Sequence, residues 1–321
     1  MKWIKNMKGD FARYMALTVI GFLRPLIGPL LYRGMPWSAA FMMSPKTLPR
    51  EILTAINFPL RIVDVGAHDM VTPDGEPSGE HLYAPLQQKY PTRVIGFDPT
   101  CEPSAEGAEA KVRILPYFIG DGTEKDFHVA RYSLTSSQFP PDRHLMERFE
   151  GLYQICESVN KERLKSYRLD DIPEVKACDF LKIDTQGSEL EILKSAPNLL
   201  KTCLAVFVEV EFQPIYQGQP LFADIDSFMR SCGFDFMRFS RDYSPVKFAA
   251  PKKIPANSAF LWSDAIYFKR LEEMEKNPVN LLKAALISND VLRMYDWTYF
   301  LLNRYDKLCG SQFAKSYMKN F

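Results

Sequence analysis

The sequence predicts an α/β fold built on a mostly parallel sheet with helices over both faces. Three observations lead there. From Leu60 onward, short apolar runs alternate with helical patterns, which is how a covered parallel sheet reads in sequence. The stretch Cys178-Asp179-Phe180-Leu181-Lys182-Ile183-Asp184-Thr185-Gln186-Gly187-Ser188-Glu189 and the Leu190 to Leu193 that follows join a buried strand, a tight turn and the start of a helix. Acids recur where strands end, at Asp64, Asp98, Asp184, Glu209 and Glu211, and open α/β sheets bind ligands outside the carboxyl ends of their strands.

Taken in order, Arg61-Ile-Val-Asp-Val-Gly-Ala-His68 is the first strand, closing on Asp64 and Gly66, where a glycine lets the backbone approach a ligand. Met70 to Gly79 reads as a loop and Glu80 to Tyr90 as a helix stopped by Pro91. Arg93 to Asp98 is the second strand, and Asp98 before Pro99 either takes the two hydroxyls of a ribose or starts an Asp-Pro turn. Glu106 to Ala110 is a short helical piece, and Val112 to Ile119 is a third strand ending in Gly120-Asp121-Gly122. Asp126 to Arg131 is a further short strand, followed by the hydroxyl-rich loop Ser133 to Pro141, of a kind that often only links. Val159 to Pro173 leads into the central motif, in which Asp184 is either the first candidate for chemistry or a cap on the helix starting near Ser188.

Beyond the motif, Ser195 to Leu200 closes that helix and Leu204 to Phe212 is strand five. Its Glu209 and Glu211 are two apart, so both face one site. After the loop Gln213 to Pro220 come a helix from Phe222 to Ser231 with Gly233 at its end, then an antiparallel hairpin of Phe234 to Phe239 and Ala259 to Arg270. The expected division is a basic apolar extension (1–50), one α/β domain (51–270) and a small helical appendage (271–321).

At 321 residues and 46% hydrophobic content the chain can bury one large core or one core plus a small appendage. Its six cysteines are far apart without C-x-x-C spacing, which points to a reducing compartment and to neither a zinc site nor a disulfide framework. The net charge of +1 gives no reason to expect a nucleic-acid partner. The first 50 residues nevertheless hold eight Lys/Arg against one acid. Arg24, Pro25 and Pro29 interrupt the apolar stretch too soon for a membrane span, and small residues that would mark signal cleavage are missing. Two readings of residues 1–33 remain open: a helix on an anionic membrane surface, facing the cytoplasm, or a helix packed on the protein's own core.

The motifs Val63-Asp-Val-Gly-Ala-His-Asp69, Gly96-Phe-Asp-Pro99, Ser133 to Pro141, Asp179 to Glu189 and Val208 to Tyr216, with Trp262-Ser-Asp264 near the last strand, resemble the FkbM-type S-adenosylmethionine-dependent methyltransferases of the class I Rossmann-like group. The resemblance covers about Leu60 to Arg270. It implies a seven-stranded sheet with the last strand antiparallel, S-adenosylmethionine (SAM) across the ends of strands one to four, and methyl transfer to a hydroxyl. By motif, Asp64, Gly66, Ala67 and His68 would sit at the methionine end, Asp98 and Pro99 at the ribose, and Gly120 and Asp121 at the adenine. Ser136, Ser137, Gln186 and Tyr216 are further candidates for orienting cofactor or acceptor. Met70 departs from the family, which often has glycine there, and Asp64 to Asp98 exceeds the roughly 20 residues of a dinucleotide fingerprint.

A sulfonium methyl is already activated, so the protein must align the acceptor oxygen and receive its proton. Asp184 is the first candidate base, Glu209 or Glu211 the reserve or a holder of acceptor hydroxyls, and His68 a competitor because its ordinary pKa lies near working pH. The acceptor is expected to be a hydroxyl of a sugar or glycan, a lipid-linked molecule or a secondary metabolite. No metal is expected. Two alternatives stand beside this one. A scaffold without activity could use the fold at a membrane surface. A nicotinamide-dependent oxidoreductase would share the first turn and Asp98, but Tyr243-x-x-x-Lys247 contains Pro245 and cannot lie on a regular helix.

Overall fold

Runs of β-branched and aromatic residues bounded by Gly, Asp or Pro become the strands. The computed structural model describes residues 46–56, 58–67, 81–100, 112–240, 246–251, 253–254 and 258–321. The expected helix at 106–110, the loop after His68 and the N-terminal extension up to residue 45 lie outside the described residues. The main sheet holds β1 (Leu60–Val65), β2 (Thr92–Phe97), β3 (Val112–Leu115), β7 (Phe180–Ile183), β8 (Ala205–Glu211), β9 (Phe234–Phe239) and β10 (Trp262–Lys269). Its order is β3-β2-β1-β7-β8-β10-β9. β10, last in the chain, runs antiparallel to both neighbours, and every other pair from β3 to β8 is parallel. This is the Rossmann-like sheet that the resemblance implied.

The order reverses between β1 and β7, and a crevice opens where neighbouring connections leave to opposite faces. Register decides which residues meet there. Val65 pairs with both Phe97 and Ile183, Ile183 pairs with Val208, and Glu209 pairs with Asp264. Gly66, Asp98 and Asp184, each just past its strand, and Glu209 within β8 therefore lie along one common edge.

Period-two alternation sends each strand's residues to two layers. Leu60, Ile62, Phe180, Phe207 and Ile266 face one core; Val63, Leu181, Val206, Val208 and Tyr267 face the other. The second core is covered by helices Glu189–Lys194, Pro197–Thr202 and Phe222–Ser231. The first is covered by Ile52, Tyr83 and Leu86 and by helices Val279–Leu286, Tyr295–Cys309 and Phe313–Tyr317. The chain beyond 270, expected as an appendage, thus contributes Leu281, Leu301 and Tyr317 to the same core as β1.

Three local readings change. The expected strand 112–119 breaks at Pro116, and its end, β4 (Phe118–Ile119), pairs with a different sheet of order β4-β6-β5. That sheet contains β5 (Glu124–Ala130) and the ten-residue β6 (Ser158–Tyr167). β6 shows no buried-exposed alternation because it is held by cross-strand charge: Asp126 pairs with Lys161 and Arg163, each at 2.8 Å. The helix expected to run on to Leu200 stops at Lys194, and a second starts at Pro197, whose ring suits a first turn.

At the amino ends of the strands, Asp179 ties three elements together. Arg61 reaches it through Nε at 3.0 Å and Nη2 at 2.8 Å, its backbone N–H donates at 2.9 Å, and Lys283 of helix Val279–Leu286 lies at 3.2 Å. Burial works against the charge on Asp179, but the Arg61 hydrogen bonds and the Lys283 charge outweigh it and hold the carboxyl below its usual range. Asp179→Ala should cost about 3 kcal/mol in urea unfolding at neutral pH, since it strands buried Lys283. Because the folded-state pKa is the lower one, this contribution is present above about pH 4 and should vanish as pH falls through the folded value.

Candidate active site

The first turn is knitted to both neighbouring strands. Gly66 and Ala67 N–H groups donate to the Phe97 carbonyl at 2.9 and 3.1 Å, and the Asp184 N–H donates to Val65 O at 2.9 Å. Gly66 has φ +85°, and a Cβ there would stand 1.9 Å from the Asp184 carbonyl oxygen. No other residue type allows that approach.

Above this turn lies a cavity of ≈ 400 Å³. Gly66, Asp98, Pro99, Asp184, Gln186 and Glu209 border it along the strand ends. Toward β3 it is walled by Val65, Phe97, Tyr117, Phe118 and Ile119, with the Phe97 and Tyr117 rings stacked at 6.4 Å. Ser136 borders it from the loop after β5.

Gln186 organises the acidic end. It is a non-glycine residue with φ +59°, a costly conformation kept where the surroundings impose it. Its carbonyl accepts from the Ser137 hydroxyl at 2.6 Å. Its side-chain amide donates to Glu209 Oε2 at 2.8 Å and to Asp184 Oδ1 at 3.2 Å, while its Oε1 faces the Tyr216 hydroxyl at 3.1 Å. One amide thus holds two carboxyl groups side by side.

The Methyltransferase FkbM domain matches residues 64–236, more than half of the chain. The chain belongs to the FkbM methyltransferase family. Its cofactor is SAM, and it is a SAM-dependent methyltransferase. No curated protein sequence matches it. Among solved structures, magnesium protoporphyrin IX methyltransferase from Synechocystis PCC 6803 with bound SAM is 12% identical over 68% of this chain and 75% of that one, with a TM-score of 0.28. LepI in complex with SAM is 8% identical over 74% and 47%, TM-score 0.31. The N-terminal domain of EvdMO1 with S-adenosylhomocysteine (SAH) is 10% identical over 75% and 83%, TM-score 0.27. The fold assignment rests on strand order and the family on the matched domain.

The cavity of this FkbM methyltransferase suits SAM on three counts. Gly66 clears backbone for close approach, the Tyr117 ring offers a flat surface to a purine, and Asp184 offers a carboxyl group to a cation. Asp98 borders the cavity and also makes the turn, its Oδ1 accepting from Thr100 N–H at 2.7 Å and Thr100 Oγ at 2.6 Å. The turn is thus formed with the Asp98 carboxyl still at the cavity edge.

Several expected site residues stand elsewhere. Asp64 points into the opposite layer, fully buried, accepting from Tyr83 Oη at 2.9 Å and Lys182 Nζ at 3.1 Å. Strand alternation dictates this, because Asp64 shares a face with Leu60 and Ile62. Its reach to the site is indirect, through Lys182, whose Nζ is 3.4 Å from Gly66 O. Ala67 is a core residue, and Gly120 donates to Tyr167 O. Asp121 sits on the surface beside Lys125 at 2.8 Å, so Tyr117 to Ile119 occupy the cavity edge expected of Gly120 and Asp121. Ser137 stands behind Gln186 rather than in the cavity, and Glu211 is buried behind Glu209's strand end. His68 and Tyr243 lie outside the described residues. Among those residues no group of three or more His, Cys, Asp or Glu is placed to hold a metal. The apolar wall residues Tyr117, Ile155 and Ile215 carried no signal in the sequence, since nothing distinguishes them from core.

Crowded acids change each other's chemistry. Burial, then the charge of Asp184, pushes the Glu209 carboxyl well above its usual pKa. Burial, then the charges of Glu189 and Asp184, does the same to Glu211. Glu189 fastens the turn, its Oε1 accepting from Thr185 N–H at 2.8 Å, Thr185 Oγ at 2.9 Å and Gly187 N–H at 3.2 Å. Burial still lifts it from 4.5 to about 7. The unfolded chain loses this proton first, so Glu189 lowers stability as pH rises from 4.5 to about 7. Glu189→Gln keeps the accepting oxygen without the charge. Its stability relative to the unaltered protein should rise across that window by on the order of 3 kcal/mol and level off above it, as read by urea unfolding at a series of pH values.

Proposed function

We propose that this methyltransferase transfers the SAM methyl group to a hydroxyl of a glycan, lipid-linked or other small-molecule acceptor. The observation that carries this reading is the pair Asp184 and Glu209, bridged by the Gln186 amide at the cavity floor. When bound, the cofactor supplies an electrophilic methyl on positive sulfur. The protein has to place the acceptor oxygen in line, exclude water and take one proton.

The two carboxyls divide that work by environment. Glu209 keeps its proton because burial and the neighbouring Asp184 charge disfavour a second anion. It can then donate a hydrogen bond to an acceptor oxygen. Asp184 is the base: as the O–CH₃ bond forms and the CH₃–S bond breaks, the hydroxyl proton passes to its carboxylate. Gln186 holds both in place, and its own orientation is fixed by Tyr216 and Ser137.

Residues 1–33 belong to the same proposal as a contact with the inner face of a membrane, on the strength of their basic and apolar composition. Among the described residues no helix is long and apolar enough to cross a membrane. Removing 1–33 should abolish co-sedimentation with anionic vesicles; unchanged sedimentation would end this part of the reading.

Asp184→Asn should bind SAH with ordinary affinity by titration calorimetry and lose about 10²–10⁴ in kcat with the acceptor. Comparing the glycans and lipids of cells with and without the gene by mass spectrometry supplies that acceptor, as the species that lacks one methyl. Full turnover by Asp184→Asn would remove Asp184 as base. Failure of the unaltered protein to release SAH with any extract would favour the scaffold without activity.

A further inference from the structure

We infer that helices Tyr295–Cys309 and Phe313–Tyr317 carry a second membrane contact, an aromatic and lysine-bearing surface that lies on the headgroups of an anionic bilayer. It extends the reading of residues 1–33 as a membrane contact, on which it rests for the kind of partner, and it is tested apart from that reading.

Helix Tyr295–Cys309 spends one side on the core, burying Thr298, Leu301 and Leu302. The helical period puts Phe300 and Lys307, seven apart, on the other side. Phe300 is 40% exposed and stacks on Trp297 at 5.3 Å. Its neighbour Tyr299 is exposed too, and Tyr295, one turn earlier, holds the Phe321 ring at 6.3 Å. In the final segment Ala314 and Tyr317 turn inward, which leaves Lys315, Met318 and Lys319 exposed. Of the eleven large apolar side chains exposed among the described residues, five fall within 299–321. Single exposed apolar residues are ordinary, but this many in one short segment mark a surface made for contact.

Charge selects the partner. Residues 293–321 hold five Lys/Arg (Arg293, Arg304, Lys307, Lys315, Lys319) against two acids, Asp296 and Asp306. Asp306 is spent inside the fold, accepting from Phe313 N–H at 2.9 Å and Ala314 N–H at 2.8 Å. Arg304 is spent on Glu275 at 2.6 Å. The charge turned outward is therefore mainly that of exposed Lys307, Lys315 and Lys319. Lysine lays its aliphatic stem on apolar surface and sends its ammonium to phosphate, while aromatic rings settle at headgroup depth. A second copy of this chain would set lysines against lysines, so like charge works against that occupant.

The position of this surface in the chain adds a second argument. Asn320 Nδ2 donates to the Thr47 carbonyl at 2.7 Å, so the preceding residues, with eight Lys/Arg and one acid in the first 50, join the domain beside these helices. One weak membrane signal gives marginal, reversible binding, and stable anchoring takes two. A basic, apolar extension and a basic, aromatic surface that meet at Thr47 supply two.

The test is co-sedimentation of the full chain with phosphatidylcholine vesicles, either alone or with about one-third phosphatidylserine. The unaltered chain should bind the anionic vesicles, less so as salt is raised, and leave the neutral ones. Lys307→Glu with Lys315→Glu and Lys319→Glu should weaken that binding at least about tenfold. Phe300→Ser with Met318→Ser should weaken it at least about fivefold. SAH binding by calorimetry should stay unchanged in both variants, which controls for folding. Undiminished sedimentation of both variants, or equal binding to neutral vesicles, overturns the inference. So does a dimer in sedimentation velocity that the same substitutions abolish, because it gives the surface to a second copy. Chain lacking 1–33 separates the two membrane readings. If it sediments as before while the helix variants do not, the extension reading falls and this one stands. If the deletion alone matters, the reverse holds, and a full chain that ignores anionic vesicles ends both.

Discussion

The close approach of Gly66 to the Asp184 carbonyl is the contact on which the site depends. β1 and β7 lie side by side where the sheet order reverses, and a side chain at position 66 would drive their ends apart. With only hydrogen there, Gly66 and Ala67 can bond back to Phe97 and Asp184 can bond to Val65. Three strand ends become one rigid ledge, and the cavity opens over it. Positioning is most of what transfer of an activated methyl requires, and a ledge built from backbone hydrogen bonds supplies it at little entropic cost.

On that ledge the protein accumulates acids. Asp184, Glu189, Glu209, Glu211 and Asp264 follow from adjacent strands and the turn between them. Such crowding is unfavourable for folding and useful for chemistry. Burial pushes the Glu209 and Glu211 carboxyls well above their usual range, and Asp184 and Glu209 both line the cavity. The arrangement suits a positively charged donor. Gln186 makes it workable: a single amide satisfies oxygens from both carboxyls, at the expense of a left-handed backbone.

The opposite end of the sheet carries the compensating stability. Arg61, Asp179 and Lys283 join β1, β7 and a C-terminal helix, so the helices beyond residue 270 cover the sheet instead of standing apart from it. The polar, ion-paired β5 and β6 hold the apolar lip of the cavity outside either main core. Chemistry thus sits between a stiff floor and a separately built wall.

The sequence by itself determined the parallel α/β sheet, its hairpin end and the strand-end positions of Gly66, Asp98, Asp184 and Glu209, because apolar periodicity and turn residues are local signals. Only the tertiary structure decided that Asp64 faces away, that Ser158–Tyr167 forms a strand with no hydrophobic alternation, and that Ser136 and Ser137 bond to backbone while Leu134 stays exposed. It also decided the register that sets Glu209 beside Asp184, and hence the crowding that pushes the Glu209 carboxyl upward. Those outcomes depend on pairing and burial between residues far apart in the chain, and no local pattern records either.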